Sequence, residues 1–533
     1  MPLTKKIILF FISFIIIFNL FSGCLFEKIF VGTTFSLQSW KIGDDNGFPS
    51  LNLSFSCSGT VTVNIVGPDF LKKDSDFYFI GNHNATFYLS DFKTSVNPGE
   101  YKLSVYDDEN SEIYSKNFNF IGANLSILSC NQKWWKKDFL IGNYALLGLN
   151  MYVYNSGDVP VYPYSVVYSL NSQENTSLIL PNVILPGEGD YINCFAYQNT
   201  SEGEKTLDIN LYDNNENILG SNTFIVDVKE NVLIEKLSWH YNGKRDSSVP
   251  RLEYLYDYYK NLDRIKNEDY GLYIFDPYDN KYIDILLDCI MFGFSSDNDV
   301  EKINYVSSLI QKLNYVSDSE SNISFEYPQY PLETLFDGKG DCEDKAILTA
   351  SLLNNLGYEV ALLRLPNHMA VGVRLSEDAI SNYDYFVDDF YFIETTTTGK
   401  PCGFIPQEYK KYSSNVTMHK ISNRPLLMHD WIGNSIAIFT NTEMGDFVKV
   451  KLLVENLGIE TANILKVTSG FYDTEGINII SDDKIITSLD PGEKEKVILS
   501  INFPKTITTR FKTRVYLDYE IVDEKQSAST FPV

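Results

Sequence analysis

The stretch "GKGDCEDKAILTASLLNNLGYEV", Gly338 to Val360, decides how the middle of this chain folds. Gly338 and Gly340 make a flexible lead-in. Asp341 suits an N-cap, where its side-chain oxygen accepts from a backbone N–H of the first turn. Cys342 then takes the first helical position. Ala346, Ile347, Ala350, Leu353 and Leu356 recur three or four apart and predict a buried stripe, and Gly357 ends the helix. A lone cysteine at a helix start has an uncommon address for a core residue. Free N–H groups and the helix dipole favour a thiolate there. Glu343 and Asp344, read as charge partners of the helix N-terminus, act against it, because nearby carboxylates raise a thiol pKa. A neighbouring imidazolium would have to win that contest.

The chain holds five histidines. His368 opens "HMAVGVRL", which reads as a strand and gives the ring a fixed direction. Between helix and histidine lie one strand, "EVALLRL", and a tight Pro-Asn turn. A helix laid back on such a hairpin brings its N-terminus beside the second strand, as a thiol–imidazole contact requires. Glu394, in "FYFIETT", is an acid in an apolar and aromatic run, where an unpaired carboxylate is costly. A histidine partner relieves that cost. Asp388 and Asp389 in "FVDDFYF" are rivals for the same role. No second ligand pair accompanies Cys342 and His368, so the spacing suggests no zinc site, and no motif calls for a cofactor.

Outward from this centre, residues 231–425 carry helical patterns such as "SVPRLEYLYDYYKNLDRI" and "DNDVEKINYVSSLIQKLNYV". The strands "EVALLRL", "HMAVGVRL", "DYFVDD" and "FYFIETT" follow them. Helices first and an antiparallel sheet after is α+β logic. "WHYNG" near Trp239 reads as a strand opening the domain. The flanks have another texture. Residues 31–122 show short alternating strands with turn signals, including "NPGEYKLSVYD". Residues 123–230 and 426–533 repeat one plan: a strand ends at Asn-x-Gly (Asn155 to Gly157, Asn456 to Gly458), and a later Pro-Gly-Glu turn (Pro186 to Glu188, Pro491 to Glu493) leads into another strand. This predicts two copies of one β-sandwich, similar to immunoglobulin-like adhesion modules.

At 533 residues the chain is too long for one ordinary domain. Lys plus Arg is 44 against 70 Asp plus Glu, a net charge of -26, which argues against nucleic acid as a partner. Residues 1–30, "MPLTKKIILFFISFIIIFNLFSGCLFEKIF", place two lysines before an apolar run, an export signal. The "SGC" ending resembles a lipoprotein box with Cys24 as the lipidated residue. The rival is an uncleaved anchor, since Ile7 to Phe26 is long enough to span a bilayer. Either places the body of the protein at the extracellular face of the cell membrane, tethered by its N-terminus. The other cysteines have no regular spacing and imply no disulfide framework, although a single bridge from Cys130 to Cys194 stays open.

Asp-Cys-Glu-Asp at a helix start, a histidine on a strand and an acid on a following strand together resemble the transglutaminase-like superfamily, most closely its microbial cysteine peptidase and amidase branch. "NHMAVGV" is similar to that branch's histidine strand. Many members carry Asp where this chain has Glu394. The resemblance implies a multidomain protein whose α+β papain-like core lies between all-β immunoglobulin-like sandwiches. It also implies acyl transfer by a triad of Cys342, His368 and Glu394, with the Cys342 backbone N–H as one oxyanion donor. The substrate class would be peptide or amide bonds of a protein or peptide partner, with the cell envelope as one source, cleaved by water. The alternative is a non-catalytic surface adhesion or assembly protein that uses the same fold to bind.

Overall fold

A computed structural model describes residues 32–533, apart from 138–142, 263, 265–269, 275, 319–326, 377–378, 381, 414–415, 422–424, 443–444, 459, 503, 505–507 and 532–533. The expected leader, Cys24 included, lies outside the described residues. Two compact units emerge: Met1–Asp91 with Val96–Gly122, and Phe92–Ser95 with Ala123–Val533.

The first unit is one β-sandwich. Its strands Phe35–Asp45, Phe48–Cys57 and Gly81–Tyr88 form one sheet, and Lys72–Tyr78, Val61–Val66, Gly99–Asp107 and Glu112–Phe120 form the other, in that order. Alternation decides which face is inside: Leu51, Leu53, Phe55 and Cys57 are buried, and so are Val61, Val63 and Ile65. In chain order the strands group as 1-2-5 and 4-3-6-7.

The second unit contains two more sandwiches with that grouping. In the first, Leu125–Lys136, Asn143–Asn155 and Gly189–Ser201 face Gln173–Leu178, Ser165–Leu170, Gly203–Tyr212 and Ile218–Val228. In the last, Leu427–Thr442, Gly445–Asn456 and Lys494–Asn502 face Asn478–Leu489, Ala462–Tyr472, Thr509–Leu517 and Glu520–Phe531. The repeat therefore has three copies where two are expected. The fourth strand pairs with the third and not with the fifth, unlike a constant-type immunoglobulin domain.

The two repeat motifs turn out to be halves of one junction. The Asn155 side chain donates to Val159 O at 2.8 Å and Ile184 O at 2.9 Å, and accepts from Gly157 N at 2.9 Å. Asn456 does the same with Glu460 O, Leu489 O and Gly458 N, at 2.8, 2.9 and 3.0 Å. The glycine of each Pro-Gly-Glu turn returns a hydrogen bond to the same asparagine's carbonyl, Gly187 to Asn155 and Gly492 to Asn456. Both asparagines are fully buried, where each polar atom needs a partner. In the first unit Cys57 ends the second strand instead and donates through Sγ to Phe79 O at 3.0 Å. With cysteine in place of asparagine, and with Pro98-Gly99-Glu100 leading into the sixth strand, this copy escapes the motif.

Between the second and third sandwiches lies the α+β core. A hairpin, Leu233–His240 with Lys244–Arg251, opens it. The helices Glu253–Asn261, Asn280–Met291, Asp299–Lys312, Pro331–Asp337 and Cys342–Asn355 follow. An antiparallel sheet then runs in the order Phe390–Ile393, His368–Arg374, Val360–Leu365, Thr417–Ile421. "SVPR" belongs to the hairpin and not to the first helix, while Asn280–Met291 and Pro331–Asp337 are helices beyond those expected. "DYFVDD" forms no extended strand; only Val387 bridges, to Phe390.

The helix Cys342–Asn355 is the centre of this core. Its residues Glu343 to Leu353 are all buried, so the expected single stripe is too narrow, while Leu356 is only half-buried. A helix with apolar neighbours on every side has no solvent face for its charges, and they must find partners. The sheet lies against it through Leu362, Met369, Val371 and Ile393.

Candidate active site

The start of the central helix is pinned, not flexible. Gly338 ends the preceding helix in a left-handed conformation, φ 66°, which glycine adopts without strain. Lys339–Gly340 pairs in parallel with Asn314–Tyr315. A Cβ on Gly340 would meet the Cβ of Asp344 at 2.6 Å, so only glycine passes there. Asp341 is the N-cap, and Asp344 accepts from Asp341 N at 3.1 Å and from Gln329 N at 2.7 Å. Cys342 holds the first helical position as expected, half-buried. Asp344 is thus a structural cap, and burial, then Asp341, push its carboxyl up.

His368 is the first residue of its strand, and Glu394 lies just past the end of the adjacent antiparallel strand. Both therefore come to one rim of the sheet. His368 Nε2 stands 3.2 Å from Glu394 Oε2, with both residues buried. Glu394 Oε1 accepts from Thr396 N at 2.7 Å and Thr396 Oγ1 at 2.5 Å. Burial alone would raise this carboxyl. The bonds from His368 and Thr396 outweigh it and hold Glu394 down at about 2. Ionised at neutral pH, Glu394 accepts from Nε2–H and leaves Nδ1 as the imidazole's basic nitrogen. Behind it, Gln311 Nε2 donates to Glu394 O and Lys400 O, both at 2.8 Å, which fixes the backbone of the acid. Neither rival acid serves: Asp389 pairs with Arg374 at 2.7 Å, and Asp388 is exposed in a turn at φ 48°.

The sulfur reaches the same rim edge-on. The Cys342 sulfur accepts from the backbone N–H of Met369, the residue after His368. Its thiol donates to Glu343 Oε2 at 3.1 Å, and among the described residues no hydrogen bond joins it to the imidazole. The sheet's alternation explains this. His368 lies opposite Leu365, on the face of Ala370, Phe390 and Phe392, while the helix packs on the other face. Burial, then Glu343 and Asp341, push the Cys342 thiol up, against the Met369 N–H. Burial, then Asp341, raise the Glu343 carboxyl as well. Glu343 is therefore no surface charge partner of the helix; it is buried on the sulfur.

Two neighbours escaped the sequence. Lys345 is fully buried, donates to Leu313 O at 3.1 Å, and is lowered by burial to about 8, with Glu394 opposing the shift. Tyr409 lies flat on the His368 ring, centroids 4.6 Å apart and planes 6° apart. The potential ligand atoms of Asp341, Cys342 and Glu343 lie within 4.8 Å of one another. The six described cysteines are free thiols, Cys130 and Cys194 included.

Residues 290–391 match the model of a family described as a transglutaminase-like domain. The match spans Cys342 and His368 and stops just short of Glu394. The chain therefore carries a transglutaminase-like domain flanked by β-sandwich modules. No curated protein sequence matches it. Among solved structures, red sea bream transglutaminase is 10% identical, covering 75% of this chain and 81% of its own, with a TM-score of 0.21. A two-domain fibronectin type III segment of chicken tenascin is 12% identical over 36% of this chain and 99% of its own, TM-score 0.18. A tetra-tandem repeat from the extending region of a large adhesion protein is 9% identical over 93% and 98%, TM-score 0.16. Scores this low define no shared fold.

Proposed function

We propose that this chain is a thiol enzyme, tethered to the outer face of the cell membrane by its N-terminal segment, that cleaves peptide or amide bonds. The observation that carries the proposal is the His368 Nε2–Glu394 Oε2 contact of 3.2 Å at the rim where the Cys342 sulfur meets the Met369 N–H. Cys342 turns from Glu343 toward the imidazole, and His368 Nδ1 takes its proton. The sulfur bonds to the carboxamide carbon, the C–N bond breaks, and the imidazolium returns its proton to the leaving amine. Water, deprotonated by the same imidazole, then resolves the thioester. Glu394 keeps the ring oriented and stabilises the imidazolium throughout. The helix N-terminus supplies the Cys342 N–H to the oxyanion. The tether rests on the lysines and apolar run of residues 1–30, and the protein or peptide substrate rests on the domain family.

A second reading, a binding module without catalysis, is favoured by the thiol's bond to Glu343 and its raised pKa. Iodoacetamide at neutral pH separates the two. Selective alkylation of Cys342, lost in His368→Ala, supports the enzyme. Equal slow labelling of every thiol supports the binding module. Amide substrates, with and without an amine acceptor, then distinguish hydrolysis from cross-linking.

A further inference from the structure

The imidazole of His368 makes a second contact that has no counterpart in the triad. Tyr409 comes from a turn far along the chain, beyond the acid strand. Its N–H donates to Pro406 O at 3.0 Å, and its carbonyl accepts from Tyr412 N at 2.9 Å. The turn is thus held at both ends, and the ring packs on the sheet face of Ala370, Phe390 and Phe392. There it lies parallel to His368 at 4.6 Å and 6.5 Å from the Phe392 ring. The phenol is half-buried, and burial, then Glu394, raise its pKa.

We propose that Tyr409 is a positioning residue, whose ring clamps the His368 imidazole flat and closes the His368–Glu394 hydrogen bond to water. The proposal rests on the triad assignment and adds to it the group that holds the histidine's plane. A His χ2 torsion is soft, and one hydrogen bond fixes direction but not tilt. A parallel aromatic face removes the tilt. It also favours the imidazolium that forms beside a thiolate. Glu394, itself held by Thr396, holds one edge of the ring, and Tyr409 holds its face. The aromatic ring is what this needs; the phenolic oxygen is not.

Two variants of the full chain test it. In Tyr409→Phe the stack survives, and Cys342 alkylation at pH 7 stays within about twofold of wild type. In Tyr409→Leu the volume is nearly kept but the flat face is lost, and the rate falls about tenfold, the size of one stacked aromatic–cation contact. The independent readout is the His368 Nε2–H proton in a spectrum of histidine-labelled protein, assigned with His368→Gln. A buried, hydrogen-bonded imidazole N–H exchanges slowly and is seen. It persists in Tyr409→Phe and is lost to water exchange in Tyr409→Leu. Thermal unfolding of the two variants checks that each is folded. A protected N–H in folded Tyr409→Leu overturns the proposal. Should wild-type Cys342 prove indifferent to His368→Ala, the enzyme reading falls, while the N–H signal still decides whether Tyr409 clamps the ring.

Discussion

His368 Nε2 lies 3.2 Å from Glu394 Oε2, although one residue starts a strand and the other follows the end of its neighbour. The antiparallel pairing of Val371 with Ile393 sets this distance, because it brings the first residue of one strand beside the residue that follows the other. Glu394→Gln keeps an oxygen that accepts from Nε2–H but removes the charge that stabilises an imidazolium. The expected result is a fall of about 10- to 100-fold in Cys342 alkylation at neutral pH, read from the pH–rate profile. A profile unchanged from wild type would remove Glu394 from the site.

Glu394 also predicts an acid limb of stability. Its folded pKa is about 2, below the ordinary 4.5, so the folded state binds its proton more weakly than the unfolded chain does. The stabilisation is complete above pH 4.5 and drains away as pH falls toward 2. For a buried group this amounts to about 3 kcal/mol. Glu394→Gln should show a shallower loss of unfolding midpoint than wild type across that window, in denaturant melts at successive pH values.

Glu343 restrains the sulfur. It accepts from the Cys342 thiol and, with burial, raises that thiol's pKa. Glu343→Ala removes this acceptor and leaves the sulfur free to turn to the imidazole. Alkylation at neutral pH should rise about tenfold, the change that one unit of thiol pKa produces. A slower reaction would mean that the carboxyl helps the thiol instead of holding it.

The two junction asparagines predict matched instabilities. Asn155→Ala strands the carbonyls of Val159 and Ile184 and the N–H of Gly157, and Asn456→Ala strands their counterparts. Each should cost about 2–4 kcal/mol, measured by chemical denaturation of the affected sandwich. The sites lie in separate modules and share no partner, so the double variant should show both losses independently.

Residues 338–394 made the centre of this protein legible. Asp341 as cap, Cys342 at the first turn, the hairpin through Pro366 and Asn367, and an acid in an apolar run are local signals, and each corresponds to a local structure. The Asn-x-Gly and Pro-Gly-Glu motifs likewise marked two sandwiches. The third copy was hidden because Cys57 stands at the position of the junction asparagine. Asn280–Met291 was missed although Lys281, Asp284 and Asp288 recur three and four residues apart along its exposed side, a periodicity the sequence did offer. "DYFVDD" reads as a strand by composition, but Asp388 turns the chain at φ 48°.

By itself, then, the order of residues determined which side chains are candidates for chemistry and which elements hold them, since capping, alternation and turn preference act over a few residues. Only tertiary structure decided what each charge touches. It buried Glu343 on the sulfur, laid Tyr409 across His368, and set the imidazole on one sheet face and the helix on the other. Those contacts join segments distant along the chain, and a pKa or a ring plane depends on the atoms packed around it, whatever their place in the sequence.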